Sequence, residues 1–343
     1  MTTSQSQAIP PKGDAIMQRQ YGLRLVTKWL YNNRRAVTSA TFLAILLLVF
    51  LMLDPTVFTQ FRTYRSVMIA LPISIFVVIP LVFVVTAGEI DLSFPAVVGF
   101  SSYAFALVLD SGGNPLLAIL AALATGALLG LINGVLIVYV NLSSLVATLG
   151  MNFLLRGAIN IRVKGFSIAI PEIRGSTLHK VLTEDLVLGI PNQMLWAIAF
   201  TIFGWFLYNR HVFGARVHCT GDHPGSSREM GISVNRTRVQ VFVFTGIGAA
   251  LAGIFSIMIN YVWYPTTGDG LLLPVLAGIF MGGTPTWGGV GTVVGGAIGA
   301  TTVAFIGTGV IAVGLTGFYT QFFNGLIIIL SLIGQRLNGA RLR

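Results

Sequence analysis

Charge is scarce in this 343-residue chain: 9% of its residues are Asp, Glu, Lys or Arg, while 55% are hydrophobic. Average soluble proteins carry roughly 25% charged residues, so a soluble globular domain is excluded. Several apolar runs instead approach the roughly 20 residues that cross a bilayer. Lysine is scarcer still. Lys12, Lys28, Lys164 and Lys180 are followed by Gly, Trp, Gly and Val, and a phosphate-binding loop needs a lysine followed by Ser or Thr. The chain therefore supplies no ATP site of that kind. Its one cysteine, Cys219, rules out an intrachain disulfide framework. No apolar run has a carboxylate at its centre, the feature expected of a carrier driven by an ion gradient. His211, His218, Cys219 and His223 match no compact metal-site spacing, and no Ser/His/Asp order points to nucleophilic catalysis. The sequence assigns no metal site and no catalytic residue.

What is abundant is glycine, 40 residues, set among long apolar runs. The predicted crossings are 36–53, 66–87, 93–109, 115–140, a short 144–160, 192–208, 239–261, a short 271–283, 292–311 and 318–333. The fold class is all-α: a polytopic membrane protein of about ten transmembrane helices, short or broken ones included, with both termini cytoplasmic. Treating the two short segments as re-entrant gives about eight crossings. The positive-inside rule hardly separates the two counts. Three regions follow: a cytoplasmic tail 1–35, one transmembrane domain 36–334 and a cytoplasmic tail 335–343. The polar stretch before the first apolar run is too long for a cleavable signal, so the first span is expected to be retained. The net charge of +10 gathers near membrane ends without a basic stripe, which reports topology and contact with lipid rather than nucleic-acid binding. Gly126, Gly130 and Gly134, and again Gly291, Gly295 and Gly299, recur four apart. Such spacing lets helices approach closely, within the chain more readily than between chains.

The longest polar interruption is 209–238, NRHVFGARVHCTGDHPGSSREMGISVNRTR, with five arginines against Asp222 and Glu229. Gly221, Pro224 and Gly225 are expected to break it, and Ser226 or Ser227 to cap a short helix beginning near Arg228. Its FGARVHCTG and REMGISVNR portions resemble the cytoplasmic coupling loop of permease subunits from ribose-type, carbohydrate-uptake ABC importers. Phe213, Gly214 and Arg216 fit the start apart from an extra Ala215; Gly221 fits the turn; Gly231, Ile232 and Val234 fit the exit. His223-Pro224-Gly225-Ser226-Ser227 departs from the family's pattern. The segments VFVVTAGEIDLSFPAVVGF, LINGVLIVYVNLSSLVATLGMNFLLRG and LAGIFMGGTPTWGGVGTVVGGAIGA are similar to further family segments, in the same order.

The resemblance implies a non-enzymatic permease that imports a sugar or a similar neutral polyhydroxylated solute across the bacterial inner membrane. It implies a separate ATP-binding subunit holding ATP and Mg, a periplasmic or lipid-anchored substrate-binding protein, and a second permease copy or related permease. The alternative is an ion- or proton-coupled secondary transporter. Gly214, Arg216, Gly221, Arg228, Glu229 and Gly231 are the candidates for coupling to the ATPase. Asn133, Asn152, Arg156, Asn260 and Tyr261 are candidates for the substrate pathway, because polar groups in apolar segments are costly unless used. Glu89 and Asp91, between the second and third runs, are expected to be structural or gating. Asp91 is expected to cap the third helix and Glu89 to be the wetter of the two.

Overall fold

The computed structural model describes residues 34–186, 189–312 and 314–339. The expected N-terminal tail, apart from Arg34 and Arg35, and the C-terminal Arg341 and Arg343 lie outside the described residues. In chain order the elements are α1 (Arg34–Leu53), α2 (Pro55–Phe58), α3 (Phe61–Thr86), α4 (Phe94–Asp110), α5 (Pro115–Val138), α6 (Ser144–Val163), β1 (Ile168–Ala169), α7 (Thr177–Thr183), α8 (Asn192–Asn209), α9 (Val212–Asp222), α10 (Pro224–Glu229), α11 (Val234–Asn260), β2 (Val262–Trp263), α12 (Leu272–Met281), α13 (Val293–Ala312) and α14 (Gly317–Gly339). β1 and β2 pair antiparallel with Ile168 opposite Trp263. Among the described residues seven helices, α1, α3, α5, α6, α11, α13 and α14, are long and apolar enough to cross a membrane. α4 and α12 are shorter apolar helices, and α8 is an 18-residue helix.

Hydropathy alone would make every long helix equivalent, but packing ranks them. α3 and α11 are mostly buried, while α1 and α14 keep nearly bare apolar faces, with Phe42, Met52, Phe318 and Phe322 exposed. Those faces suit lipid. The central position of α11 rests on the first glycine stripe: a Cβ on Gly126 would lie 2.9 Å from that of Ala250, one on Gly130 3.0 Å from Val243 Cα, and one on Gly134 2.9 Å from Val239 Cα. The second stripe does the same for α12 and α13, where Gly278 and Gly282 meet Gly299 and Gly295. Both stripes are thus internal seams. α4 packs on α5 and α6 as α12 packs on α13 and α14, and α5 lies on α11 as α13 lies on α3. Since α3 ends where α11 begins, the halves run in opposite senses, the pattern of an inverted repeat.

Several helices run past the apolar boundaries. α3 includes Arg62 and Arg65, and α11 takes in Arg236 and Arg238, so the polar stretch after α8 ends at Ser233 rather than Arg238. A helix satisfies its own backbone in water as well as in lipid, so the end of an apolar run does not terminate it. At the end away from α9, Arg65 pairs with Asp185 at 2.6 Å, and Asp54 caps α2 by accepting from the Val57 amide. The Thr56 hydroxyl, followed by that amide, holds the Asp54 carboxyl below the usual carboxylate range.

Candidate functional site

Between α3 and α4 the chain is not helical, although it lies within the helical bundle. Backbone groups there cannot turn to water and must find partners. One face of α6 supplies them. Ser144 Oγ accepts from Ile90 N at 3.2 Å, Thr148 Oγ1 accepts from Leu92 N at 3.0 Å, Asn152 Nδ2 donates to Leu92 O at 2.7 Å, and Arg156 Nη2 donates to Pro95 O at 2.9 Å. These four side chains are spaced four residues apart, so they form one stripe on the helix. Ser144 and Thr148 had no assigned role in the sequence reading; their spacing with Asn152 and Arg156 is the signal that could have found them.

Arg156 also reaches a second irregular segment that enters from the opposite end, between β2 and α12. Its Nη1 donates to Pro265 O at 2.9 Å and Thr267 O at 3.0 Å, and Nη2 pairs with Asp269 at 2.6 Å. One guanidinium therefore holds the start of α4 against the loop before α12. Arginine suits this because its fork presents five donors in a fixed plane. The Arg156 side chain is mostly buried, whereas that of Asp269 is 53% exposed.

Asp91 Oδ1 accepts from Ser93 N at 2.8 Å and from Ser93 Oγ at 2.6 Å, immediately ahead of α4. Asn133 Nδ2 donates to the same Ser93 hydroxyl at 2.7 Å. Asn133, Asn152 and Arg156 are therefore gathered along the 90–95 segment. Asn260 and Tyr261 are not; they end α11 at the β1–β2 end. Asn260 bonds to its own helix at Ser256 O, and the Tyr261 hydroxyl meets His179 Nε2 at 2.8 Å.

Glu89 is the more exposed of the two carboxylates, as expected, but at 8% against 3% for Asp91 it too is buried. The reason is Arg238, from the first turns of α11, whose Nε lies 3.0 Å from Glu89 Oε1. That N–H is not directed along a hydrogen bond, so the contact is a side-on ion pair. Asp91→Asn keeps an acceptor for Ser93 and is expected to melt within about 0.5 kcal/mol of wild type, while Asp91→Leu should lose about 1–2 kcal/mol. Glu89→Gln strands a half-buried arginine and should cost at least as much as Asp91→Leu. Melting of the three variants in detergent checks the order.

The polar interruption after α8 folds as two short helices. Gly221 lies inside the last turn of α9 and is not a turn residue, and α10 starts at Pro224, so Arg228 falls in its last turn and not at its start. Proline is suited to a first turn, where its missing N–H would have no intrahelical partner. Ser227 caps nothing; its buried hydroxyl donates to Cys219 O and His223 O. Gly214 is buried where α9 meets the end of α8, with the Leu207 carbonyl 2.6 Å from where its Cβ would be. Arg216, Arg228, Glu229 and Gly231 are exposed. Gly231 has φ of +79° just past α10, a left-handed position that glycine fills without steric cost, and its missing Cβ would face open space.

The back of α9 rests on the membrane helices. Gly221 touches Gly88, the residue before Glu89, and Gly288 and Gly289 of the loop before α13 pack against Gly221 and Asp222. Gly289 N donates to Thr86 O at 2.8 Å, and His218 Nδ1 donates to Gly289 O at 3.0 Å. The His218 ring packs edge-on against Tyr208, whose hydroxyl meets Thr86 Oγ1 at 2.8 Å. α9 is thus seated directly on the junction that leads into the non-helical 90–95 segment, and α10 packs against α9 and α11.

The family model described as "Branched-chain amino acid transport system / permease component" matches residues 63–332. The autoinducer 2 import system permease protein LsrC of Enterobacter sp. (strain 638) is 33% identical over 306 residues, covering 88% of this chain and 86% of that protein. The ribose import permease protein RbsC of Escherichia coli (strain K12) is 26% identical over 314 residues, 91% of this chain and 96% of its own length. The autoinducer 2 import system permease protein LsrD of Salmonella typhi is 28% identical over 264 residues, 76% of this chain and 80% of its own.

Proposed function

Because this chain belongs to the branched-chain amino acid transport system / permease component family, we propose that it carries a neutral polyhydroxylated solute, a sugar or furanose, inward across the bacterial inner membrane. It is a multi-pass membrane permease and not an enzyme. ATP and Mg are held by a separate subunit that docks on α9 and α10 through Arg216, Arg228 and Glu229. A binding protein delivers the solute at the β1–β2 end, and a second permease completes the pathway.

The observation that carries this reading is the seat of α9 on the Gly88 junction. Displacement of α9 by the ATPase shifts Gly88 and Glu89, and with them the 90–95 segment that Asn133, Asn152 and Arg156 hold. Breaks in helices near the middle of the membrane are where transporters place solutes, because freed backbone and nearby side chains offer hydrogen bonds there. Scarce embedded charge suits a neutral solute, and relatives named for ribose and autoinducer 2 point the same way. Glu89 is engaged by Arg238 and Asp91 by Ser93, which leaves neither carboxylate free for a coupling ion.

The test is thermal shift of the cognate binding protein against pentoses, hexoses, furanose diols and branched-chain amino acids. Stabilisation by leucine, isoleucine or valine alone would sink the solute assignment. Uptake by the permease in liposomes under an ion gradient, without partners, would sink the ATP-driven reading. Gly231→Trp probes the docking face separately. It should melt within about 2 kcal/mol of wild type, the cost of a side chain in a left-handed position, yet lose ATPase association and uptake. Unchanged association would remove Gly231 from the docking surface.

A further inference from the structure

At the end of the molecule that carries α9, a cavity of about 590 Å³ opens between the start of α1, the end of α12 with its following loop, and the last turns of α14. Its volume is in the range of ordinary small-molecule sites. Arg34 and Arg35 line it together with Trp287, Phe42, Leu330 and Gln335, and neither Asp nor Glu does. The aliphatic stem of Arg35 is laid over Gly283, where a Cβ would come 2.9 Å from the arginine's own. Among the described residues no carboxylate pairs with Arg35. Gln335 donates through Nε2 to Phe280 O at 2.6 Å, which leaves its amide oxygen as an acceptor, buried and without a donor.

The flanks of the cavity are the two helices with the barest apolar faces: Phe42 is 44% and Leu330 57% exposed. Any molecule reaching it sideways comes through lipid. The site therefore combines cationic groups at the level of the membrane surface, an exposed interfacial tryptophan, an unsatisfied acceptor and an apolar exit into the bilayer. Basic pockets of this form between helices on the cytoplasmic side match anionic headgroups.

We propose that this cavity binds one anionic phospholipid of the phosphatidylglycerol type. The phosphate sits on Arg34 and Arg35, a glycerol hydroxyl donates to the Gln335 amide oxygen, and an acyl chain runs out along Phe42 and Leu330. The bound lipid joins α1 and α14 to the 282–292 loop, which itself rests on α9. Lipid charge at this site thereby supports the seat of the coupling helices.

The full chain, delipidated in nonionic detergent, is titrated with phosphatidylglycerol, with phosphatidylcholine of the same chain length and with glycerol 3-phosphate, reading melting temperature and lipid retained by native mass spectrometry. Saturating phosphatidylglycerol should raise melting by about 5 °C, with little effect from the other two. Arg35→Gln should weaken that binding roughly fivefold, and Arg35→Lys should restore most of it. Ser331→Phe, which fills the cavity and leaves both arginines in place, should abolish the shift and decides the matter should Arg35→Gln fail to fold. Equal stabilisation by phosphatidylcholine, a full shift from glycerol 3-phosphate, or an undiminished phosphatidylglycerol shift in Ser331→Phe would each overturn the proposal; the last result would hold if the preceding stretch of chain, rather than lipid, filled the cavity.

Discussion

Gly221→Ala is expected to abolish uptake and to lower stability by about 3 kcal/mol or more, an unusually large effect for one methyl group. The methyl would overlap the Thr86 carbonyl oxygen and lie 2.6 Å from Gly289 N. Those two atoms are the ends of the 2.8 Å hydrogen bond between the end of α3 and the loop before α13. All the nearest neighbours are backbone, so no side chain can swing away; α9 must lift off its seat or the hydrogen bond must break. Gly225→Ala is the matched control, because a Cβ there meets nothing within 4 Å, and alanine favours the first turn of a helix at least as well. Melting and uptake of the two variants decide it. If Gly221→Ala behaves like Gly225→Ala, the close seat of α9 on the membrane helices is not a feature of the working permease.

Arg156→Met is the second large effect, with an expected loss of about 3–5 kcal/mol, enough to deplete the protein from the membrane. Methionine keeps an unbranched stem that ends near the position of the arginine Nε and removes every donor. The carbonyls of Pro95, Pro265 and Thr267 and the Asp269 carboxylate then lose the partner they share, and each buried acceptor left bare costs about 1–3 kcal/mol. Arg156→Lys keeps the charge and three donors but not the planar fork, so an intermediate loss is expected. Asp269→Asn should be mild, within about 1 kcal/mol, because that side chain is half exposed and an exposed pair contributes little. A variant Arg156→Met that melts normally but carries no solute would show that Arg156 acts on the solute and does not staple the two segments.

Much of the architecture was legible in the sequence because hydropathy and small-residue spacing are local signals. The glycine stripes at Gly126 and Gly291 appear as repeats of four, and both form seams. Helices α9 and α10 were legible as a polar interruption with a recognisable motif, though the breaker rules misplaced them. Glycine disfavours helix, so local rules place Gly221 in a turn; here it is kept in a helix by the backbone of other elements, which no local rule registers. α6 read as a short and doubtful span because Asn152 and Arg156 lower its hydropathy. It is a full 20-residue helix whose polar stripe faces another part of the chain. The sequence ranks Glu89 as wetter than Asp91, and it is, but the sequence does not register that Arg238 covers it and keeps it buried.

The sequence by itself determined that the chain is an all-helical, membrane-embedded permease without an ATP loop of its own. Those properties follow from composition, run length and short motifs, which are the same in any arrangement of the helices. Only the tertiary structure decided which polar group meets which. Arg156 and Pro265 are 109 residues apart, and Thr86 is brought to Gly289 by three different elements packing together. In a bilayer every helix can satisfy its own backbone and every apolar face is acceptable to lipid. The partners of the few polar side chains and of the non-helical segments are therefore settled by how the helices pack.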